Sequence, residues 1–466
     1  MRWAPWTLAV LMLGLWRLTA HGIWLDESVS VTYALRPLKT IGHDHNMVLY
    51  YLILKGWLAL GQGHELGWVR SLSVLLAAGA IPLLHDLADR LFGAEVARRA
   101  AALMALNAFL LHYAREARAY TLVVLLAVAA TWALVRWVQE RRGRWAALYV
   151  LLAGLSVYAH LFAILVPLSH LVWLVGISHG RGPSWRAIVA MFASVGVLAA
   201  PWILAALVVG DGQIGWIRAP TGKSVVRTWA LLSGGNLGLG VMSLIALAAL
   251  ALGRGAPPRA VDERARSLVL AWALGPTTVM LVIAVLWKPI VHPRYLLMAL
   301  PGFSLALAVV FTHRVGWLGL LALSGLSFAA ATRQGPQEAW RNVVHRIQAE
   351  AQPGDAVSLD ILQPAPLFYS VDEAGAERMP PLVLPGEPWR FPRAPAADTD
   401  EDALDSHPGR VWLVQNRSES KAVAARLQAS RPRLAEARYV PGDNDGLFES
   451  PENRTIVLTL WGPTKR

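Results

Sequence analysis

Three short clusters of polar residues interrupt an otherwise apolar sequence. Trp24-Leu25-Asp26-Glu27 sets two carboxylates side by side, and His43-Asp44-His45-Asn46 sets a carboxylate between two imidazoles. Arg115-Glu116-Ala117-Arg118-Ala119-Tyr120 places three charges between two apolar runs. Each cluster admits two readings. Asp26 and Glu27 are acids favoured at the start of a helix running to Tyr33, or a carboxylate able to take a proton from a hydroxyl with its neighbour beside it. Asp44 and its two histidines form a polar loop, or a site for a divalent cation or a phosphate. Charges this close to hydrocarbon are costly unless paired or set in a cavity. Glu116 therefore pairs with an arginine, or binds a metal while Arg115 and Arg118 bind an anion. Two further segments carry chemistry-capable groups: His160 in Val157-Tyr158-Ala159-His160, and Lys288, His292, Arg294 and Tyr295 in Lys288-Pro289-Ile290-Val291-His292-Pro293-Arg294-Tyr295. His160 is a structural histidine or a ligand. Arg294 snorkels to an interface or binds phosphate.

The elements that must position these groups are set by composition. The chain has 466 residues, 55% hydrophobic and only 16% charged, with 21 tryptophans and no cysteine. Its mean hydropathy is +0.42. Soluble chains carry about 25% charged residues, so this composition excludes a disordered chain and disfavours an ordinary soluble enzyme. The lack of cysteine excludes thiol catalysis and thiolate metal sites. The net charge of +12 suggests a nucleic-acid partner at first sight. It divides, however, into +15 over residues 1–332 and −3 over residues 333–466. The positive charge belongs to the apolar part, where it reports membrane topology, and no nucleic-acid partner is expected.

Apolar runs of bilayer length lie near 3–20, 68–88, 98–113, 119–138, 145–159, 161–177, 187–209, 227–252, 267–287, 295–311 and 315–332. The fold class expected is a polytopic α-helical membrane protein of about eleven transmembrane helices. Met47–Gly61 is short for the bilayer and contains Lys55, so it is a short span or an interfacial helix; the distribution of the basic loops selects the interfacial helix. With that assignment Arg98, Arg99, Arg141, Arg142, Arg144, Arg181, Arg186, Arg254, Arg259, Arg264, Arg266 and Arg314 fall on one side, which is then cytoplasmic. The N-terminus is placed inside, and the polar clusters share the outer face. Residues 1–332 form the membrane domain, with a first outer loop at 21–67. Residues 333–466, with Pro/Gly punctuation and short β-like runs at Ala356–Leu359, Arg410–Gln415 and Thr455–Leu460, form a small extracytoplasmic α/β domain. Helices are expected at Gln337–Ala351 and Ser418–Ala429.

The order of Trp24-Leu25-Asp26-Glu27, then Asp44-His45-Asn46 ahead of Leu49-Tyr50-Tyr51, then Arg115 to Tyr120, then Tyr158-Ala159-His160, then Pro293-Arg294-Tyr295 resembles the glycosyltransferases of the GT-C fold. More narrowly it resembles the family 39 group, dolichyl-phosphate-mannose–protein mannosyltransferase-like, and the bacterial aminoarabinose transferases. Asn46-Met47-Val48 stands where that family more often has a Pro-Pro step. The resemblance implies an enzyme of a bacterial plasma membrane that moves a hexose or pentose from a polyprenyl-phosphate donor to an extracytoplasmic lipid, glycan or protein, with inversion. It implies Asp26 as base and Glu27 as its neighbour. It also implies that Asp44 and Glu116 bind a divalent metal or the donor phosphate, with His160 as a further metal ligand, and a lipid-phosphate or donor site of His45, Arg115, Arg118, Tyr120, Arg294 and Tyr295. The chemistry is consistent with this: the acceptor hydroxyl must lose a proton, the departing phosphate must be neutralised, and the lipid must reach the site from the bilayer.

Two other classes fit the composition. A secondary transporter or lipid flippase suits the span count, although the acidic residues gather at one face and no inverted halves are evident. A non-catalytic assembly protein would place its function in the C-terminal domain. The topology has its own test. Reporter fusions at Ser178 and at Gly335 are expected to report opposite sides of the membrane. Both on one side would break the shared outer placement of the clusters.

Overall fold

The computed structural model describes all residues except 1, 42–46, 62–64, 178–181, 210–216, 255–261, 334–338, 361–364, 366–379, 382–402, 417–421, 440–454 and 465–466. Asp44 and His45 therefore lie outside the described residues. Two compact units emerge. One comprises Met1–Leu18, Gly42–Ile53 and Arg70–Thr332; the other comprises Thr19–Ile41, Leu54–Val69 and Arg333–Arg466. Thr332 closes the last segment of the first unit, and most of residues 21–67 fall in the second.

The helices in chain order are α1 (Ala4–Leu15), α2 (Leu25–Leu35), α3 (Leu38–Ile41), α4 (Val48–Leu60), α5 (Leu66–Phe92), α6 (Ala94–Ala105), α7 (Ala108–Ala114), α8 (Tyr120–Glu140), α9 (Gly143–Ala159), α10 (Leu165–Ile177), α11 (Trp185–Val209), α12 (Gly222–Ser233), α13 (Leu237–Ala251), α14 (Glu263–Leu286), α15 (Leu300–Val310) and α16 (Arg314–Thr332). Short 3-10 turns at Leu161–Ile164 and Pro293–Ala299 lead into α10 and α15. All eleven apolar runs are helical. Among the described residues, six helical stretches are long and apolar enough to cross a membrane, and the bent pair α12/α13 makes a seventh. The remaining four runs are shorter for local reasons. Helix α1 stops after Leu15, where Trp16 turns extended and Arg17 takes φ +53°. The run 98–113 breaks between α6 and α7, because the Asn107 side chain caps α7 by accepting from the amides of Phe109 (2.9 Å) and Leu110 (3.0 Å). Helix α9 and the Leu161–Ile177 segment meet at His160.

The 81° bend between α12 and α13 is equally local. Gly234 and Gly235 have φ +134° and +108°, a region that only glycine enters without strain. Asn236 then caps α13, and its amide donates to Leu323 O (3.0 Å) and Ser327 Oγ (2.5 Å) on α16. Helix α8 is largely buried and packs on α9 and on the Pro293–Ala299 turn. A buried polar set ties three helices: Thr131 Oγ1 (α8) lies 3.0 Å from His170 Nε2 (α10), and Tyr149 OH (α9) lies 3.2 Å from His170 Nδ1. In α11 and α16, by contrast, only 22% and 17% of the apolar window is buried. Val197, Leu204 and Leu207 on α11 and Val315, Leu318 and Leu326 on α16 are exposed. Apolar surface of that extent requires a hydrocarbon solvent, so the chain is an integral membrane protein.

The acids near the arginine-rich helix ends take structural roles. Asp86 accepts from Arg90 and from Trp132 Nε1 (both 2.6 Å), Glu140 from Arg136 (2.7 Å) and Trp145 Nε1 (2.8 Å), and Asp262 caps α14.

In the other unit, α17 (Trp340–Glu350) precedes β1 (Ala356–Asp360), α18 (Ala403–Ser406), β2 (Val411–Asn416), α19 (Ala422–Ser430), β3 (Arg433–Tyr439) and β4 (Ile456–Trp461). The sheet order is β1-β2-β4-β3, with β1/β2 parallel and the other pairs antiparallel. Helix α17 buries Trp340, Val343, Val344 and Ile347 at helical spacing. Three strands match the expected runs. Strand β3 was not expected: Arg433-Leu434-Ala435-Glu436-Ala437-Arg438-Tyr439 has no apolar run, because it is a charged edge strand with little to bury. Arg431 is buried and donates to the carbonyls of Leu404, His407, Gly409 and Gly462, which ties the ends of α18, β2 and β4.

Asp355 is the electrostatic pin of this domain. Its buried carboxylate accepts from Arg410 Nε (2.9 Å) and Nη2 (2.7 Å), Trp412 Nε1 (3.0 Å) and the Gln352 amide (3.0 Å). Burial pulls its pKa up, but these donors outweigh burial and hold the carboxyl below the usual aspartate range. A depressed folded-state pKa stabilises fully above the unfolded value near 3.9 and loses that contribution as pH falls through the folded value. Asp355→Ala is expected to cost this domain about 2–4 kcal/mol at pH 7, with the difference from wild type shrinking below about pH 4. Hydrogen exchange of the β2 amides at pH 7 reads the loss as faster opening.

Candidate functional site

Within the membrane unit, four segments remote in sequence form one buried cluster. Glu116 and Arg118 come from the link between α7 and α8, Tyr120 from the first turn of α8, His160 from the α9 terminus, and Arg294 and Tyr295 from the Pro293–Ala299 turn. Their side chains are withdrawn from solvent: Glu116 is 5% exposed, Arg118 and Arg294 7% each, and His160 3%. The link is tight because the Arg118 amide donates to Glu116 O (2.8 Å) and the Glu116 amide to Tyr113 O (3.3 Å). A side-chain relay braces it: Tyr50 OH (α4) lies 3.1 Å from Ser73 Oγ (α5), which lies 3.5 Å from the Arg118 carbonyl.

Aromatic rings join the segments. Tyr113 and Tyr120 meet edge to face (4.8 Å), Tyr120 lies 6.0 Å from His160, and His160 lies 5.0 Å from Tyr295. Phe162 and His292 flank Tyr295 at 5.1 and 5.5 Å. A guanidinium sits over each tyrosine of this ladder, Arg118 over Tyr120 (5.9 Å) and Arg294 over Tyr295 (5.4 Å). Glu116 Oε1 lies 3.2 Å from His112 Nε2, one helical turn back. His112 escaped the sequence reading; its position four residues before Glu116 was the available signal. Arg115, expected at the phosphate, turns the other way: Nη2 donates to Leu13 O (2.7 Å), and the guanidinium lies over Phe328 (5.4 Å) and Trp16 (6.0 Å). It clasps α1 and α16.

His160 Nδ1 accepts the Phe162 amide (3.2 Å), which leaves the ring proton on Nε2. Burial first, and then the charges of Arg118 and Arg294, push its pKa down to about 3, so the ring is neutral at any working pH. These features bear on the expected metal. Glu116 faces His112, His160 has its free-electron-pair nitrogen occupied, and the cluster carries two guanidiniums. Among the described residues no group of three His, Asp or Glu side chains is arranged to hold an ion. Asp44, the third expected ligand, lies outside the described residues.

In the other unit Asp26 and Glu27 occupy the first turn of α2, as expected, with Glu27 fully buried and Asp26 half-buried. The partial positive charge of the helix start favours both carboxylates. The far end of α2 explains Lys55. Its ammonium donates to the carbonyls of Arg36 (2.9 Å) and Ala34 (3.2 Å) at the α2 C-terminus, so this cation in an apolar run is a helix cap. Trp57 and Trp68 clamp α4 to α5 with rings stacked at 4.3 Å and reciprocal Nε1–carbonyl bonds of 2.9 Å. Gly61 makes room for that stack, because a Cβ there would collide with the Trp68 indole. Lys55→Met is expected to cost about 1–2 kcal/mol. Amide exchange across α2 then accelerates relative to α17, and equal rates in both variants would refute the cap.

Residues 44–206 match the family model described as dolichyl-phosphate-mannose-protein mannosyltransferase. No curated protein matches the chain in sequence. Among solved structures, the Archaeoglobus fulgidus oligosaccharyltransferase complexed with zinc and sulfate is similar at 13% identity and a TM-score of 0.53, over 89% of this chain and 68% of that one. ArnT from Cupriavidus metallidurans in the apo state is similar at 13% identity and a TM-score of 0.48, over 98% and 97%. The same ArnT bound to undecaprenyl phosphate gives 14% identity and a TM-score of 0.46, over 98% and 97%. The chain has the GT-C fold of membrane glycosyltransferases.

Proposed function

We propose that this protein transfers a sugar from a polyprenyl-phosphate donor to an extracytoplasmic acceptor. The observation that carries this is the burial of Arg118 and Arg294 in one cluster with Tyr120, Tyr295 and His160. Both guanidiniums are withdrawn from water, and they come together from segments remote in sequence. Desolvated cations of that kind favour a bound anion, and guanidinium geometry suits phosphate. In a chain embedded in a bilayer, a phosphate on a polyprenyl tail reaches such a site laterally. The matched family model supports the same donor class, since its description names a dolichyl-phosphate sugar.

Arg118 and Arg294 hold the phosphate and neutralise the charge that grows on it as the glycosidic bond breaks. Glu116, oriented by His112, sets the edge of that positive field. Asp26, half-buried at the start of α2, accepts the proton of the attacking hydroxyl, and Glu27 beside it keeps the local field negative. Attack on the anomeric carbon from the side opposite the phosphate inverts its configuration. The site faces the outer side, with the N-terminus cytoplasmic and the C-terminal domain extracytoplasmic.

The test is transfer by the purified protein in nanodiscs, with a panel of radiolabelled polyprenyl-phosphate sugars. Wild type is expected to transfer one of them. Asp26→Asn is expected to lower kcat about 10³-fold with donor binding retained. Arg294→Ala is expected to weaken donor binding about 10–100-fold. Full transfer by a folded Asp26→Asn variant would remove the base assignment. Substrate flux across vesicles with no transfer from any donor would favour the transporter reading.

A further inference from the structure

The transfer reaction leaves the C-terminal domain without a task, yet that domain shares a compact unit with α2, the helix that carries Asp26. A base acts only over a narrow range of positions, so whatever holds α2 bears on catalysis. The far end of α2 is held by Lys55, which donates to the carbonyls of Ala34 and Arg36. The start is built differently. Its N-cap residue is Trp24, extended (φ −119°, ψ 175°) and without a side-chain cap. Between Thr19 and Trp24 the chain belongs to no helix. A cation from the C-terminal domain takes hold of it there. Arg341 Nη2 on α17 donates to Thr19 O at 3.1 Å, across 322 positions of sequence. Asp26 follows Thr19 by seven residues.

Arg341 is mounted on a rigid element. Its neighbour Trp340 is fully buried, and with Val343, Val344 and Ile347 it seats α17 by one apolar face. The other end of α17 is fastened to the sheet. Arg410 Nη2 donates to Glu350 O (3.2 Å) and to Asp355 Oδ2 (2.7 Å), which joins the helix to the start of β1. A continuous path thus runs from the sheet through α17 and Arg341 to the lead of α2. Precision in a reacting group comes from supports of this kind.

We propose that Arg341 is a positioning residue for Asp26, and that the C-terminal domain serves the transfer by holding the start of α2 where the Asp26 carboxylate meets the acceptor hydroxyl. This rests on the base assigned to Asp26 above. Lys55 and Arg341 then hold α2 from its two ends, each by donating to main-chain carbonyls. The grip sets the position of the base and leaves donor binding alone, because Arg118 and Arg294 belong to the membrane unit.

The experiment uses the full-length protein in nanodiscs, with the radiolabelled polyprenyl-phosphate sugar that wild type transfers. Turnover is counted per donor-binding site, so that misfolded molecules are left out. Arg341→Ala is expected to lower kcat about 10–100-fold with donor KM unchanged. Arg341→Lys keeps a cationic donor and is expected to recover most of the loss. Arg346→Ala removes another cation of α17, paired with Glu350 at 3.0 Å, and is expected to leave turnover unchanged. In the Asp26→Asn background Arg341→Ala is expected to cost nothing further, because the base it positions is gone. A lesion that is only structural multiplies in both backgrounds. Exchange of the Ser28 and Val29 amides of α2 is expected to rise about 10-fold in Arg341→Ala, with the β2 amides unchanged.

Full turnover by Arg341→Ala would overturn the proposal. So would an equal fold-loss in the wild-type and Asp26→Asn backgrounds, or a rise in donor KM that matches the fall in kcat. If wild type transferred no sugar from any donor, the base assignment itself would fall. Exchange then decides alone whether Arg341 holds α2, and unchanged rates at Ser28 and Val29 would remove the grip as well.

Discussion

Charge withdrawn from water dominates the organisation of this chain. In the membrane unit Arg118, Arg294 and Glu116 are all nearly inaccessible, and none is tolerable in hydrocarbon without an organised environment. The surrounding structure supplies it in layers. Aromatic faces lie under both guanidiniums, His112 meets Glu116, and main-chain bonds fold the α7–α8 link so that Glu116 and Arg118 stay together. The breaks in the helices follow from the same need. Helix α7 must end where its arginines begin, and Asn107 starts it afresh so that it can. His160 and the Pro293–Ala299 turn interrupt two more apolar segments beside the cluster.

Several apparent anomalies of the sequence are the opposite case, charges spent on scaffolding. Lys55 in an apolar helix caps α2. Arg115 lies one residue from Glu116 yet clasps α1 through Leu13 O. Asp86 and Glu140 bind indole N–H groups near the arginine-rich helix ends. In each, a long or planar side chain reaches a carbonyl or an indole across a helix interface. That reach depends on which helices are neighbours.

This distinction marks what could be read beforehand. Long apolar runs and their interruptions are local properties, so all eleven helical runs were legible, as were the starts of α2 and α8 and three of four strands. Glu116, Arg118, His160 and Arg294 were legible as candidates because polar groups beside hydrocarbon are conspicuous in one dimension. Direction was not legible. Nothing in the order Arg115-Glu116-Ala117-Arg118 says that the first arginine points to α1 and the second to a tyrosine face, since helical phase and packing decide it. His112, Ser73 and Tyr50 act through contacts made only on folding. Strand β3 was hidden because an edge strand satisfies its backbone on one side and has no apolar face to advertise.

The state of His160 follows from the fold rather than from the residue. An imidazole in water offers a donor, an acceptor or a metal ligand with comparable ease. Here the turn after α9 consumes the acceptor, burial and two arginines suppress the second proton, and what remains is one N–H with a fixed direction. Backbone geometry has therefore selected one of three chemistries before any ligand arrives. The aromatic ladder then has a second consequence. It holds Tyr120 and Tyr295 on the histidine ring, and each tyrosine carries a guanidinium over its face.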